Sequence, residues 1–268
     1  KPLAIGEKLG AYSLSEPQSG SDASNMRTFA KKEGDHYVIN GTKNWVTNGI
    51  SSDIVALFCV TEKGAGYKGI SAFVVEKGTL GLSIGKKENK LGIRASDTCE
   101  LYFENCRIPD ENIIGKEGQG FKVAMKALGD GRIGIAAQAL GLARAALDTS
   151  ISYAKERKQF GKTIGEFDAI RNKLANMATE IDAARMLVWR AAKLKDDGKN
   201  YSRESSMAKL YASSTAMRAA TECVQIHGGY GYMQEYGVER LMRDAKITQI
   251  YEGTSEIQQL VIGRDLLK

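Results

Sequence analysis

Up to Gly118 the apolar positions come in short runs bounded by turn residues, and the runs predict strands over 36–40, 54–61, 71–76, 80–84 and 99–103. Gly34-Asp35, Asn40-Gly41, Asn48-Gly49, Lys77-Gly78 and Asn105 punctuate them as turn positions. Beyond Gly118 the period changes. Phe121, Met125 and Leu128, then Ile135, Leu140, Leu142, Ala146 and Leu147, keep apolar groups on one side of a helix. A second stripe runs through Leu174, Met177, Ile181, Ala184, Leu187 and Val188 and stops at Asp196-Asp197-Gly198. A third comprises Met207, Leu210, Ala216, Ala220 and Val224. A last helix starts after Gly253, with Thr254 and Ser255 as caps and Ile257, Leu260 and Val261 as its apolar face. The three prolines, Pro2, Pro17 and Pro109, all precede this change, as expected if the remainder is mostly helical. The fold class is α+β: an antiparallel, barrel-like β domain over residues 1–117, then a helical bundle over 118–268.

Composition narrows the class. A chain of 268 residues with 43% hydrophobic and 26% charged residues is globular and not disordered. No run reaches the roughly 18–20 uncharged apolar residues of a spanning helix, and nothing after Lys1 reads as a secretion signal. The chain opens Lys1-Pro2 without a methionine and reads as a piece of a longer protein. A net charge of +6 suits any anionic partner, but acids are interspersed among the bases throughout, which argues against a nucleic-acid role. Cys59, Cys99, Cys106 and Cys223 form no CxxC pair and do not cluster with His36 or His227; buried thiols in a reducing compartment are expected, and no metal site.

Familiar nucleotide and hydrolase patterns fail on spacing. Gly161-Lys162-Thr163 lacks the P-loop glycine, Glu156 standing in its place, and Gly229-Tyr230-Gly231 and Gly118-Gln119-Gly120 are followed by Gln234 and Val123 where a dinucleotide fingerprint needs glycine. No nucleophile elbow accompanies either histidine, and both read as structural. Five segments remain. The run Leu14 to Asp22 concentrates hydroxyls and turn residues, suited to hydrogen-bonding a heteroaromatic ring or a phosphate. Trp45 to Gly49 sets an aromatic beside a hydroxyl at a strand end, either to stack on a ring or as a core tryptophan before a turn. Arg157 to Gly161 gathers cations at a helix end, Gln225 to Tyr232 puts paired glycines after a helix, and Ile250 to Glu256 sets a carboxylate in an apolar-flanked turn where desolvation would raise its pKa.

Taken together, these segments resemble the acyl-CoA dehydrogenases, closest to the short-chain, butyryl-CoA type. The resemblance implies a flavoprotein whose middle β domain and C-terminal four-helix bundle are represented here without the N-terminal helical domain, and a homotetramer acting in fatty acid β-oxidation. Glu252 is then the base that removes the α proton of an acyl-CoA thioester while FAD takes the β hydrogen as hydride, giving a trans-2-enoyl-CoA. FAD contacts are implied at Tyr12, Leu14, Ser15, Gly20, Ser21, Trp45, Thr47, Arg157, Phe160, Gln225, Gly229, Thr254 and Glu256. Ser21, Gly129, Asp130, Arg132 and Gly253 would lie near substrate. Relatives that carry the base on the earlier helix would place it at Gly131, which cannot serve, leaving Asp130 as the alternative to Glu252. Asp168 stands where the family commonly has a glutamine that contacts FAD. The implied electron acceptor is electron-transfer flavoprotein, and the compartment a bacterial cytoplasm or a mitochondrial matrix. Two other readings stay open: an acyl-CoA oxidase, which would form peroxide in air, and a truncated non-catalytic chain that retains no FAD.

Overall fold

The computed structural model describes residues 1–268 as two compact units, 1–90 with 94–127, and 91–93 with 128–268. The first unit is built on a seven-stranded curled sheet. Its strands are β1 (Gly10–Ser13), β2 (Phe29–Glu33), β3 (His36–Thr47), β4 (Ile54–Val60), β5 (Ile70–Glu76), β6 (Leu82–Ile84) and β7 (Thr98–Pro109). They run in the order β1-β4-β2-β3-β7-β6, with β5 on the other side of β4. Most pairings are antiparallel, as expected, but β1 and β2 each pair parallel to β4, so the sheet is mixed. Leu57, Phe58 and Cys59 on β4 and Ile70, Ala72, Phe73 and Val75 on β5 are buried, which explains their continuous apolar runs.

Asn40-Gly41 does not end a strand, and β3 runs through it into Thr47. The register shifts between Ile39 and Gly41, where φ is +149°, and a Cβ there would lie 2.5 Å from Thr28 Oγ1 and 2.6 Å from Thr28 Cα. The glycine is thus a bulge at a close backbone approach rather than a turn. Asn105 likewise sits inside β7, its N–H donating to Asn40 Oδ1 at 2.8 Å. A second register shift, between Lys43 and Val46, carries Asn44 and Trp45 out of the ladder.

The helical unit draws on α1 (Gly120–Glu156), α2 (Asp168–Asp196), α3 (Ser202–His227), α4 (Val238–Ile247) and α5 (Ser255–Leu266). The opening of α1 is assigned to the β unit, because Gly120 lies flat on β5: an added Cβ would sit 2.3 Å from the Ser71 carbonyl carbon. Small side chains dominate the helical core. Ala136, Ala139, Ala143 and Ala146 of α1 meet Met177, Ile181 and Ala184 of α2 and the alanines of α3, so the helix axes can approach closely. On α3 the fully covered positions include Ala208, Ala212, Ala216 and Ala220 but also Ser205, Ser206, Lys209, Ser213 and Thr215, while Met207, Leu210 and Val224 are only partly buried. This helix packs against α2, α4 and α5, so most of its circumference is covered and a single apolar stripe does not describe it. All four cysteines are free and buried, and no helix is long and apolar enough to cross a membrane.

Candidate active site

In the helical unit the chain turns sharply between α4 and α5. Glu252 takes φ +55° and Gly253 φ +85°, consecutive left-handed residues that reverse the backbone before Thr254 caps α5 by accepting from the Ile257 N–H. The turn is held from both sides. Gln258 Nε2 donates to the Glu252 and Gly253 carbonyls at 3.2 and 2.8 Å, and Lys209 Nζ donates to the Gly253 carbonyl at 2.7 Å. The Glu252 N–H takes no part in the backbone hydrogen bonds around it.

The Glu252 side chain points over α1 at Gly131, where an added Cβ would lie 2.7 Å from Glu252 Oε2. That oxygen is buried and has no hydrogen-bond partner in the chain. Two buried cations face it, Arg132 and Lys209. Burial pushes the Glu252 carboxyl above the ordinary carboxylate range, against the opposing pull of these cations. Burial also lowers the Lys209 amine to about 8, and the neighbouring Arg132 charge adds to the effect. Arg132 Nη1 donates to Ser206 Oγ at 3.3 Å, while its Nε is buried without a partner. Asp130 is otherwise engaged: its Oδ1 is 3.1 Å from Lys195 Nζ and accepts from the Tyr201 hydroxyl. An acid held in this way is a poor proton acceptor, whereas Glu252 Oε2 is free to take a proton.

In the β unit the run Leu14 to Asp22 folds around a fully buried ion pair. Lys43 Nζ lies 2.8 Å from Glu16 Oε1 and donates to the Leu14 carbonyl at 2.9 Å. Glu16 also accepts from the Arg27 N–H at 2.6 Å, the Thr28 N–H at 2.9 Å and Gln18 Nε2 at 2.7 Å. Burial pushes the Glu16 carboxyl up, but Lys43 and the other donors outweigh it and hold the group below its usual value. Next to this pair the β3 bulge, fixed by the Asn44 N–H donating to the Ser15 carbonyl at 2.8 Å, turns Trp45 outward at φ +58°. Trp45 is 63% exposed, which sets aside the core-tryptophan reading. Thr47, Gly20 and Ser21 are also exposed, Leu14 is buried, and Tyr12 is half-buried with its hydroxyl donating to the Ala124 carbonyl at 3.4 Å.

The remaining segments lie elsewhere in the helical unit. After α1 the chain forms a tight hairpin, β8 (Lys158–Gln159) and β9 (Lys162–Thr163), with Phe160 at its tip, 93% exposed. Arg157, His227, Gly229 and Tyr230 line an open groove of about 430 Å³, and Arg157 lies over the Tyr230 ring at 5.2 Å; Phe160 and Gln225 are outside this lining. His227 is buried, stacked on Tyr153, with Nδ1 2.8 Å from the Cys223 carbonyl, a structural setting. Thr254 and the exposed Glu256 sit at the start of α5.

A family model of the acyl-CoA dehydrogenase middle domain matches residues 11–106, and one of the acyl-CoA dehydrogenase C-terminal domain matches residues 118–267. The chain belongs to the acyl-CoA dehydrogenase family. It is 54% identical to the short-chain specific acyl-CoA dehydrogenase of Clostridium acetobutylicum over 267 residues, all of this chain and 70% of that protein. The structure of butyryl-CoA dehydrogenase from Megasphaera elsdenii is similar over 100% of this chain and 70% of that one, at 53% identity and a TM-score of 0.98. A chain in the structure of the electron transferring flavoprotein of Acidaminococcus fermentans is similar over the same shares, at 52% identity and a TM-score of 0.98. As a member of the acyl-CoA dehydrogenases the chain is an oxidoreductase acting on CH–CH bonds, with FAD as its cofactor.

Sequence reasoning missed the groups that hold these acyl-CoA dehydrogenase segments in shape: Glu16, Lys43, Lys209 and Gln258. Lys209 did leave a signal, since Ser205, Ser206, Ala212 and Ser213 surround it on one helical face and a lysine amid such small residues has little company suited to a solvent-facing stem.

Proposed function

We propose that this chain carries out the α,β-dehydrogenation of short-chain acyl-CoA thioesters to trans-2-enoyl-CoA, with Glu252 as base, and passes the electrons to an electron-transfer flavoprotein. The observation that carries this reading is the buried Glu252 carboxyl, unpartnered at Oε2 above Gly131 and flanked by Arg132 and Lys209. Burial makes the carboxylate a stronger base than a free one, and the two cations keep it ionisable. A thioester α proton is too weakly acidic for a carboxylate unless the carbonyl is polarised, and the Glu252 N–H, outside the local backbone pairing, is a donor suited to that oxygen. The short-chain and electron-transfer parts are supported by the names of the relatives in C. acetobutylicum, M. elsdenii and A. fermentans. A homotetramer is part of the same proposal on the family resemblance alone, and a bacterial cytoplasm or mitochondrial matrix is supported by bacterial relatives and a mitochondrial mouse relative 52% identical.

The β unit fits a flavin. An aromatic ring held outward on a fixed bulge, the exposed Thr47 beside it and an adjoining loop braced by a buried ion pair offer a stacking face and hydrogen-bonding groups without rearrangement. Ser13 Oγ, at the end of β1, is buried and has no partner. Tyr12, Leu14, Ser15, Gly20, Ser21, Trp45 and Thr47 would hold it, with Arg157, Phe160, Gln225, Gly229, Thr254 and Glu256 assigned by the family resemblance. Bound FAD supplies the hydride acceptor for the β hydrogen. Ser21, Gly129, Asp130, Arg132 and Gly253 are assigned to substrate.

The test is the visible spectrum of the purified, FAD-loaded protein without oxygen, before and after butyryl-CoA. Bleaching of the flavin bands supports the reading; bands that stay unchanged with every acyl-CoA offered reject it. Peroxide formed in step with substrate in air would move the assignment to an oxidase.

Gly131 adds a sharper expectation. Gly131→Ala pushes a methyl group against Glu252 Oε2, which can move away at little cost in stability but leaves its working position. Turnover falls by about 10- to 10²-fold with the melting temperature unchanged, as steady-state kinetics and thermal unfolding will show.

A further inference from the structure

Lys209 is fully buried in the middle of α3. An ammonium out of water is costly unless it is paired, yet Lys209 makes no hydrogen bond to a carboxylate, and its one hydrogen bond goes to a carbonyl, that of Gly253. The charged groups that face it are Arg132 from α1, of like sign, Glu252 from the turn, and Glu256 from the start of α5. The nearby hydroxyls on α3 are directed back into their own helix, Ser205 and Ser206 to the Ser202 carbonyl and Ser213 to that of Leu210. Were the site only a place to fill, an apolar chain of similar length would serve without the desolvation cost. Two things would be lost with it: the charged one of the two donors on the Gly253 carbonyl, which sits directly after the left-handed Glu252, and a positive charge facing the Glu252 carboxylate, which has no ion-pair contact of its own.

We propose that Lys209 is a positioning residue for the base: its ammonium fixes the Glu252–Gly253 turn through the Gly253 carbonyl and, with Arg132, supplies the charge that keeps Glu252 ionised in its buried setting. The inference rests on the reading of Glu252 as base. Burial brings the Lys209 amine to about 8, so its charge is held against a real penalty and persists at neutral pH. The division of labour with Gln258 follows from the geometry: Gln258 binds both turn carbonyls from α5 without charge, and Lys209 binds one of them from α3 with charge.

The experiment compares the FAD-loaded wild type with Lys209→Met, Lys209→Arg and Glu252→Gln. Protonation of Glu252 is read directly as the infrared carboxyl band that Glu252→Gln lacks, titrated against pH, alongside kcat and KM. In Lys209→Met the band should titrate about one pH unit higher, with kcat at neutral pH about tenfold lower, KM little changed and flavin content unaltered. Lys209→Arg, which keeps charge and donor, should recover most of both. A Lys209→Met variant with the wild-type titration and the wild-type kcat, beside an inactive Glu252→Gln, overturns the role of Lys209 and leaves the base standing. A Glu252→Gln variant that turns over normally overturns the base and the Lys209 role with it. Should Lys209→Met not fold, the same infrared titration in Lys209→Gln decides the question.

Discussion

Replacing Glu252 with glutamine should leave the flavin bound and lower kcat by at least about 10³-fold, because the amide has the shape of the carboxylate and none of its basicity. No other carboxylate is placed to substitute: Asp130 is held by Lys195 and Tyr201. The pH dependence follows from the same site. The group must be ionised to accept the α proton, and its folded pKa lies above the usual carboxylate value because it is buried. Turnover in the parent protein therefore rises with pH through this elevated midpoint and is lost as pH falls below it, and the acid limb disappears in Glu252→Gln. Kinetics with butyryl-CoA from pH 5 to 9, with flavin content read from the visible spectrum, check both parts. Residual activity within tenfold of the parent would remove Glu252 from its role.

The largest expected loss of stability lies in the β unit. Lys43→Met strands the Glu16 carboxylate in a dry interior and leaves the Leu14 carbonyl without its donor, and breaking one side of a buried pair costs about 3–5 kcal/mol. Urea unfolding should show this as a lower midpoint with similar slope. Removing both charges, as in Lys43→Met with Glu16→Leu, should recover only part of the loss, since the Arg27 and Thr28 N–H groups then lose their acceptor. The Leu14 to Asp22 loop is tied to this pair, so the single variant should also retain less flavin after gel filtration. Full flavin retention by a destabilised Lys43→Met protein would separate the ion pair from the loop's conformation.

What the sequence disclosed was governed by range. Thr254 as the cap of α5 rests on contacts within one turn of helix, and the stripe of α2 is carried by Met177, Ile181 and Ala184, all of which are buried. Strands β4 and β5 were legible from their unbroken apolar runs. β1 and β2 were not: the residues of β1 and β2 take their strand conformation from pairing with β4, and in isolation Gly10-Ala11-Tyr12-Ser13 carries no such preference. The bulge at Gly41 reads locally as a turn because Asn-Gly is a turn signal, and only the approach of Thr28 shows why the glycine is there. α4 was missed as a short helix of ten residues. In the candidate site, Glu252 was legible through the resemblance carried by its neighbours, but its supports were hidden. Lys43 meets Glu16 across 27 positions and Lys209 meets Gly253 across 44, and a lysine on a helix or strand looks like a solvent-facing one until its partners are assembled.

The left-handed backbone at Glu252 sets stability against turnover. A side chain with a Cβ at φ +55° gives up about 1–2 kcal/mol that glycine would keep. Burying a carboxyl with one oxygen unpaired adds to that cost. Against that, the carboxylate faces the buried Arg132 and Lys209, so Glu252→Gly relieves the backbone but leaves two like charges uncompensated, and a screen for survival of the fold alone would see the two effects offset at this position.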